Sequence, residues 1–143
     1  GDQVVAMLSL ETLGYYKNEP GTQKYPFPLG LVYPDRGNFV GFVSNLPSRG
    51  LNQRVVSTFR STTQFPSEGA SLPEFIPGVS WSDHWSFSQV GYPAVMVTDT
   101  APFRNPNYHQ STDKADTLDY DSMARVTLGL QRVLEDLAGP GPK

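Results

Sequence analysis

The segment that most constrains the fold is 94–119, where the run AVMVT at Ala94–Thr98 passes directly into a polar loop carrying one of the chain's two histidines. Gly91 and Pro93 precede the run, and its apolar, β-branched character fits a buried strand. In open α/β sheets ligands sit beyond the carboxyl ends of strands, where loop side chains converge without disturbing the core. His109, with Tyr108 before it and Asp113 four residues on, is therefore placed where a functional imidazole would stand. A solvated loop histidine fits the same position and is the commoner case.

The rest of the chain supports that loop. Residues 4–10, VVAMLSL, read as a second buried strand that delivers Glu11 at its carboxyl end. Glu11 reads as readily as a turn or capping glutamate as it does as a functional carboxylate. Residues 15–38 contain Pro20, Pro26, Pro28 and Pro34 and form a long loop, because each proline removes a donor and restricts its predecessor. Residues 39–44 form a strand in which Gly41 marks a bulge or a close backbone approach. Over residues 48–62, Leu51, Val55 and Phe59 recur every four positions, one face of a helix. Residues 65–79 return to loop, with an extended piece expected around Phe75.

Ser82 is then expected to cap a short helix with Asp83 in its first turn, ending at Gly91. Trp81, Trp85 and Phe87 are expected to dock it firmly. On that reading Asp83 and His84 need be no more than a cap and its neighbour. The best-marked helix covers Tyr120–Ala138, capped by Asp119 and closed by Gly139 and Pro140. Met123, Val126, Leu130, Val133 or Leu134, and Leu137 form its sheet-facing stripe.

The length of 143 residues suits a single domain, residues 1–143, and 12% aromatic with 17% charged residues is a globular composition. A net charge of −3 without basic clusters argues against nucleic acid or an anionic membrane surface as partner. No apolar run approaches the ~20 residues that a bilayer-spanning helix needs. Without cysteine there is neither a disulfide framework nor a thiolate metal site, so any metal would need histidine and carboxylate ligands. Compartment is left open. The opening Gly-Asp-Gln enters a strand-like run almost at once and reads as the middle of a longer protein.

Five ordered segments, LETLGYY at 10–16, YPDRGNFVGFVSNL at 33–46, SWSDHWSF at 80–87, GYPAVMVTDT at 91–100 and YHQSTDKADTLDY at 108–120, together resemble the carboxyl-terminal half of the M28 family of zinc aminopeptidases. The resemblance implies an α/β fold, a partial α/β/α sandwich around a mixed β-sheet that lacks the amino-terminal strands and helices of the full domain. It also implies two zinc ions about 3.5 Å apart that activate a water against an amino-terminal peptide bond. By resemblance Glu11 binds one zinc and His109 the other, Asp83 supports ligand orientation, and Tyr108 belongs to the same pocket. His84 matches the motif without a role to carry over.

The family's His-x-Asp segment, bridging aspartate and Glu-Glu pair, which holds the general base, have no counterpart in these residues. One ligand per ion would hold zinc weakly or not at all, and proton abstraction from the attacking water has no agent here. The expectation is a piece of a zinc aminopeptidase, inactive by itself, whose peptide substrate belongs to the whole. Two other readings remain open: a self-associating, non-catalytic remnant, and a metal site rebuilt at an oligomer interface.

Overall fold

A computed structural model describes residues 4–139. The four strands are β1 (Met7–Glu11), β2 (Val40–Ser44), β3 (Ser67–Ser71) and β4 (Ala94–Thr98), in spatial order β1-β4-β2-β3. β1 runs parallel to β4, β4 antiparallel to β2, and β2 parallel to β3, so the sheet is mixed and the chain is α/β. The helices are α1 (Arg49–Thr62), α2 (His84–Gln89), α3 (Ala101–Arg104) and α4 (Tyr120–Ala138).

The core lies on one face of the sheet. Val40 and Phe42 of β2 and Val95 and Val97 of β4 project there, and α1 meets them with Val55, Val56 and Phe59. α4 packs on α1 and adds Val126, Leu130 and Val133, the stripe expected from its spacing. Phe42 and Phe59 meet edge to face at 5.2 Å. Asp119 caps α4 through the Ser122 amide at 2.9 Å, and Gly139, with φ 71°, ends it; Pro140 lies outside the described residues.

Several local expectations need correction. The segment 65–79 contains β3, which lies ahead of Phe75 and carries only small and polar residues, so it has no apolar run to mark it. The N-cap residue of α2 is Asp83, not Ser82, so Asp83 precedes the first turn, and the Ser82 hydroxyl instead meets that of Ser9 at 2.6 Å. Trp81, Trp85 and Phe87 are exposed by 59%, 43% and 37%, so they do not anchor α2. The one buried side chain of that helix is His84. There is no bulge at Gly41, since pairing is continuous on both of its sides.

Candidate active site

Strand register sets out the site. Glu11, Thr98, Gly41 and Glu68 stand abreast, one from each strand in spatial order. Directly paired residues share a face, so all four project away from the α1 side. Three strand spacings separate the ends of this row by about 14 Å. Between its two carboxylates the row holds a threonine and a glycine, which leaves a trough along the sheet. The next row, Ser9, Met96, Val43 and Ala70, extends the floor.

Loops roof this trough. Tyr25, Leu29 and Tyr33 of the proline-rich loop cover the Glu68 end, and Val79, Trp81 and Phe103 contribute the walls. The result is a mostly apolar pocket of about 100 Å³ that touches both Glu11 and Tyr108. Trp81 stacks on Phe103 at 6.2 Å, and Tyr25 on Tyr33 at 5.9 Å. Burial, followed by the charge of Glu68, pushes the Tyr33 hydroxyl above its ordinary pKa, so it stays neutral and donates to the Gly69 carbonyl at 3.2 Å.

The loop after β4 brings Tyr108 into the pocket that Glu11 also lines, with His109 stacked on it. Burial, followed by the Glu11 charge, raises the Tyr108 pKa. His109 is exposed, and its ring stacks on Tyr108 with centroids 3.9 Å apart. Its φ of 57° is left-handed, a conformation that histidine adopts more readily than most residues. Thr12 and Thr100, at φ 52° and 60°, share that conformation just beyond the carboxyl ends of β1 and β4. For β-branched residues this stores local strain of order 1–3 kcal/mol each.

Two buried ionisable groups brace these strained ends, and sequence reading passed over both. Asp99 accepts the Gly14 and Tyr15 amides, each at 2.8 Å, and so ties the end of β4 to the loop that follows Glu11. Burial raises its pKa while those hydrogen bonds oppose the rise. Arg104, also buried, holds Gln23 and two main-chain carbonyls. The available signal was a charged residue inside each of two otherwise apolar or proline-bounded runs, VTDT and APFRNP.

Asp83 is exposed, in helical conformation with φ −58°, and its carboxylate makes no hydrogen bond to Glu11 or His109. His84 beside it is 2% exposed, and its Nε2 donates to the Val79 carbonyl at 2.7 Å, pinning a wall of the pocket. The structure thus sets Glu11 and Tyr108 in the lining of one pocket, with exposed His109 stacked on Tyr108, and leaves Asp83 exposed at the start of α2.

Metal coordination is the test of what Glu11 and His109 can do. Among the described residues no group of three or more histidine, aspartate or glutamate side chains is placed to hold an ion. A zinc site takes about four ligands, three of them from protein in a catalytic site. The described residues place fewer than three such side chains around any one point.

The sequence model of Peptidase family M28 matches residues 2–134. An uncharacterized Escherichia coli protein, YfbL, is 39% identical over 132 residues, 92% of this chain and 41% of that protein. A probable leucine aminopeptidase of Arthroderma otae is 29% identical over 139 residues, covering 94% of this chain and 32% of its own length. Leucine aminopeptidase 1 of Fusarium vanettenii is 30% identical over 136 residues, with 91% of this chain and 30% of that protein covered. The crystal structure of the Legionella pneumophila LapA aminopeptidase superposes on 96% of this chain and 32% of its own, with a TM-score of 0.64 at 17% identity, a likeness of fold. The chain spans about two fifths or less of the length of these relatives.

Proposed function

The chain belongs to peptidase family M28, and we propose that it carries one flank of a zinc aminopeptidase site, giving Glu11 to one ion, His109 to the other, and the pocket for the side chain of the substrate's amino-terminal residue. The remaining ligands and the general base would come from polypeptide outside these residues. The family match and the aminopeptidase relatives support a peptidase-like function. The zinc chemistry rests on the donor types at Glu11 and His109.

One observation carries the proposal: the mostly apolar, half-open pocket is lined by both Glu11 and Tyr108. An amino-terminal residue held at the Glu11 end would extend its side chain along the trough over Gly41. The walls supply apolar contact and exclude water. Tyr108, a neutral phenol at pH 7 whose pKa is raised further, lines the pocket with Glu11 and provides a donor or acceptor there without adding charge. His109 is exposed and stacked on Tyr108, so its ring is oriented yet accessible.

The test uses the 143-residue chain with added zinc and leucine 4-nitroanilide. No turnover above background is expected, and bound zinc should stay well below one equivalent. Turnover that His109→Ala abolishes would overturn the claim that this chain is catalytically incomplete. A second reading has these residues assemble with further copies, and exposed Val5 and Leu10 beside the outer edge of β1 favour it. Stoichiometric zinc on such an assembly would place the ligand set at its interface.

A further inference from the structure

A glycine inside a strand needs a cause, because it forfeits packing and costs chain entropy. For several glycines here the cause is visible. A Cβ on Gly69 would lie 2.9 Å from Val56 Cγ2, one on Gly37 would lie 3.1 Å from Arg104, and one on Gly129 would collide with Phe59. Gly21, Gly78 and Gly91 have left-handed φ values.

Gly41 has none of these reasons. Its φ lies outside the left-handed region, and its pairing with Thr98 and Glu68 shows no bulge. A Cβ there would sit 3.4 Å from the Thr98 carbonyl oxygen and 3.5 Å from Thr100 Cγ2, ordinary van der Waals contacts. Neither the backbone nor the packing therefore demands glycine. The space that its Cβ would fill belongs to the trough, since Gly41 lies in the middle of the row and lines the pocket.

We infer that Gly41 sets the depth of the pocket and with it the size of side chain accepted, admitting leucine-sized and aromatic residues that any larger residue at position 41 would exclude. This rests on the pocket serving as the site for the substrate's amino-terminal side chain. Each carbon added at position 41 would rise from the floor between Glu11 and Glu68, shortening the reach along the row.

Ligand-observed NMR titration of the full chain with L-phenylalaninamide, L-leucinamide, L-alaninamide and p-cresol tests it, the last probe having no amino-terminal group. In Gly41→Val, affinity for phenylalaninamide and p-cresol should fall at least tenfold, with alaninamide changed less than twofold. Gly41→Ala, whose single carbon meets only ordinary contacts, should show an intermediate loss with an unchanged melting temperature, so the result does not depend on the larger variant folding. If p-cresol binds and is lost in the variants while no amide binds the wild type, the depth assignment stands and the claim that these residues alone receive a substrate's amino-terminal residue fails. If the wild type takes up none of the four probes, or if the variants retain phenylalaninamide or p-cresol at wild-type affinity, the inference is overturned.

Discussion

Arg104 joins the two long loops to the sheet edge that carries Glu11. Its Nε donates to Gln23 Oε1 at 2.7 Å, and its Nη1 donates to the carbonyls of Phe39 at 2.8 Å and Tyr15 at 3.3 Å. The guanidinium also lies 4.5 Å above the Phe39 ring. Burial draws its pKa down to about 10, with Asp99 opposing the shift, so it remains charged at neutral pH. Lysine keeps the charge but cannot present a planar fork to separated acceptors, and it would leave buried carbonyls unpaired. Arg104→Lys should therefore cost about 2 kcal/mol, read as a lower urea midpoint at constant slope. A loss below about 0.5 kcal/mol would remove Arg104 from the bracing role. Acid acts through His84, whose pKa burial lowers while the Val79 carbonyl opposes the shift. The unfolded imidazole binds a proton near pH 6.5 that the native one resists, so stability is intact above that pH and falls as pH drops through it. Asp99 has the opposite sign: its raised pKa favours the native state most in acid, below its ordinary value, and that contribution is lost as pH rises through the native pKa. From about pH 7.5 to about pH 5.5 the histidine contributes a loss, because its unfolded pKa lies in that range. His84→Gln keeps a donor for Val79 without titrating, and its stability should fall less over that range in denaturant titrations. Parallel curves for variant and wild type would exclude His84 as the source.

The pairing of α1 with α4 shows how little an element's own preferences decide. Gly129 lies on the buried stripe of α4, and a Cβ there would press 2.8 Å from Phe59 Cδ2 and 3.0 Å from Thr63 Cγ2. Alanine would gain about 1 kcal/mol of helix propensity, yet overpacking a core that includes the fully buried Phe59 costs about 1–3 kcal/mol. Gly129→Ala should thus lower the melting temperature measured by circular dichroism, and an increase would show that the helices separate at little cost. The same contrast explains what the sequence disclosed. β4, β2, α1 and α4 were legible because each presents several apolar residues at one period, and β1 because its run is apolar almost throughout. β3, with the sequence SEGAS, offers no such signal and is a strand only because β2 pairs with it. The six residues of α2 are too few to define a face, so Trp85 and Phe87 suggested an anchor that the fold assigns to His84. Glu11 and the Tyr108–His109 pair were readable as residues at strand ends. The trough was not, since its floor joins Gly41, Thr98 and Glu68 through pairing that no local pattern encodes.

At the scale of the whole molecule the two sheet edges are treated differently. On β3 the outward carbonyls of Ser67 and Gly69 accept bonds from Arg60 of α1 and from the Tyr33 hydroxyl, so that edge is partly capped by side chains of neighbouring elements. Alternation along β1 turns the backbone groups of Leu8 and Leu10 outward. Among the described residues no side chain bonds to them. Leu10 and nearby Val5 are each 62% exposed, so the open edge carries apolar surface as well as free donors and acceptors. Unpaired edges of this kind recruit further strands, and charged residues such as lysine are the usual way to block them. We propose that β1 is completed by additional polypeptide, either the remainder of a longer M28 protein or, for these residues alone, a second copy. Sedimentation velocity of the 143-residue chain should then show a dimer or larger species at tens of micromolar, and Leu10→Lys should shift it to monomer without lowering the melting temperature measured at dilution. The Tyr33→Phe substitution, which uncaps only the β3 edge by removing the bond to Gly69, should leave the β1-mediated species in place. A wild-type chain that stays monomeric throughout, or an assembly that Leu10→Lys leaves intact, would mean that the β1 edge is not where this molecule meets its partner.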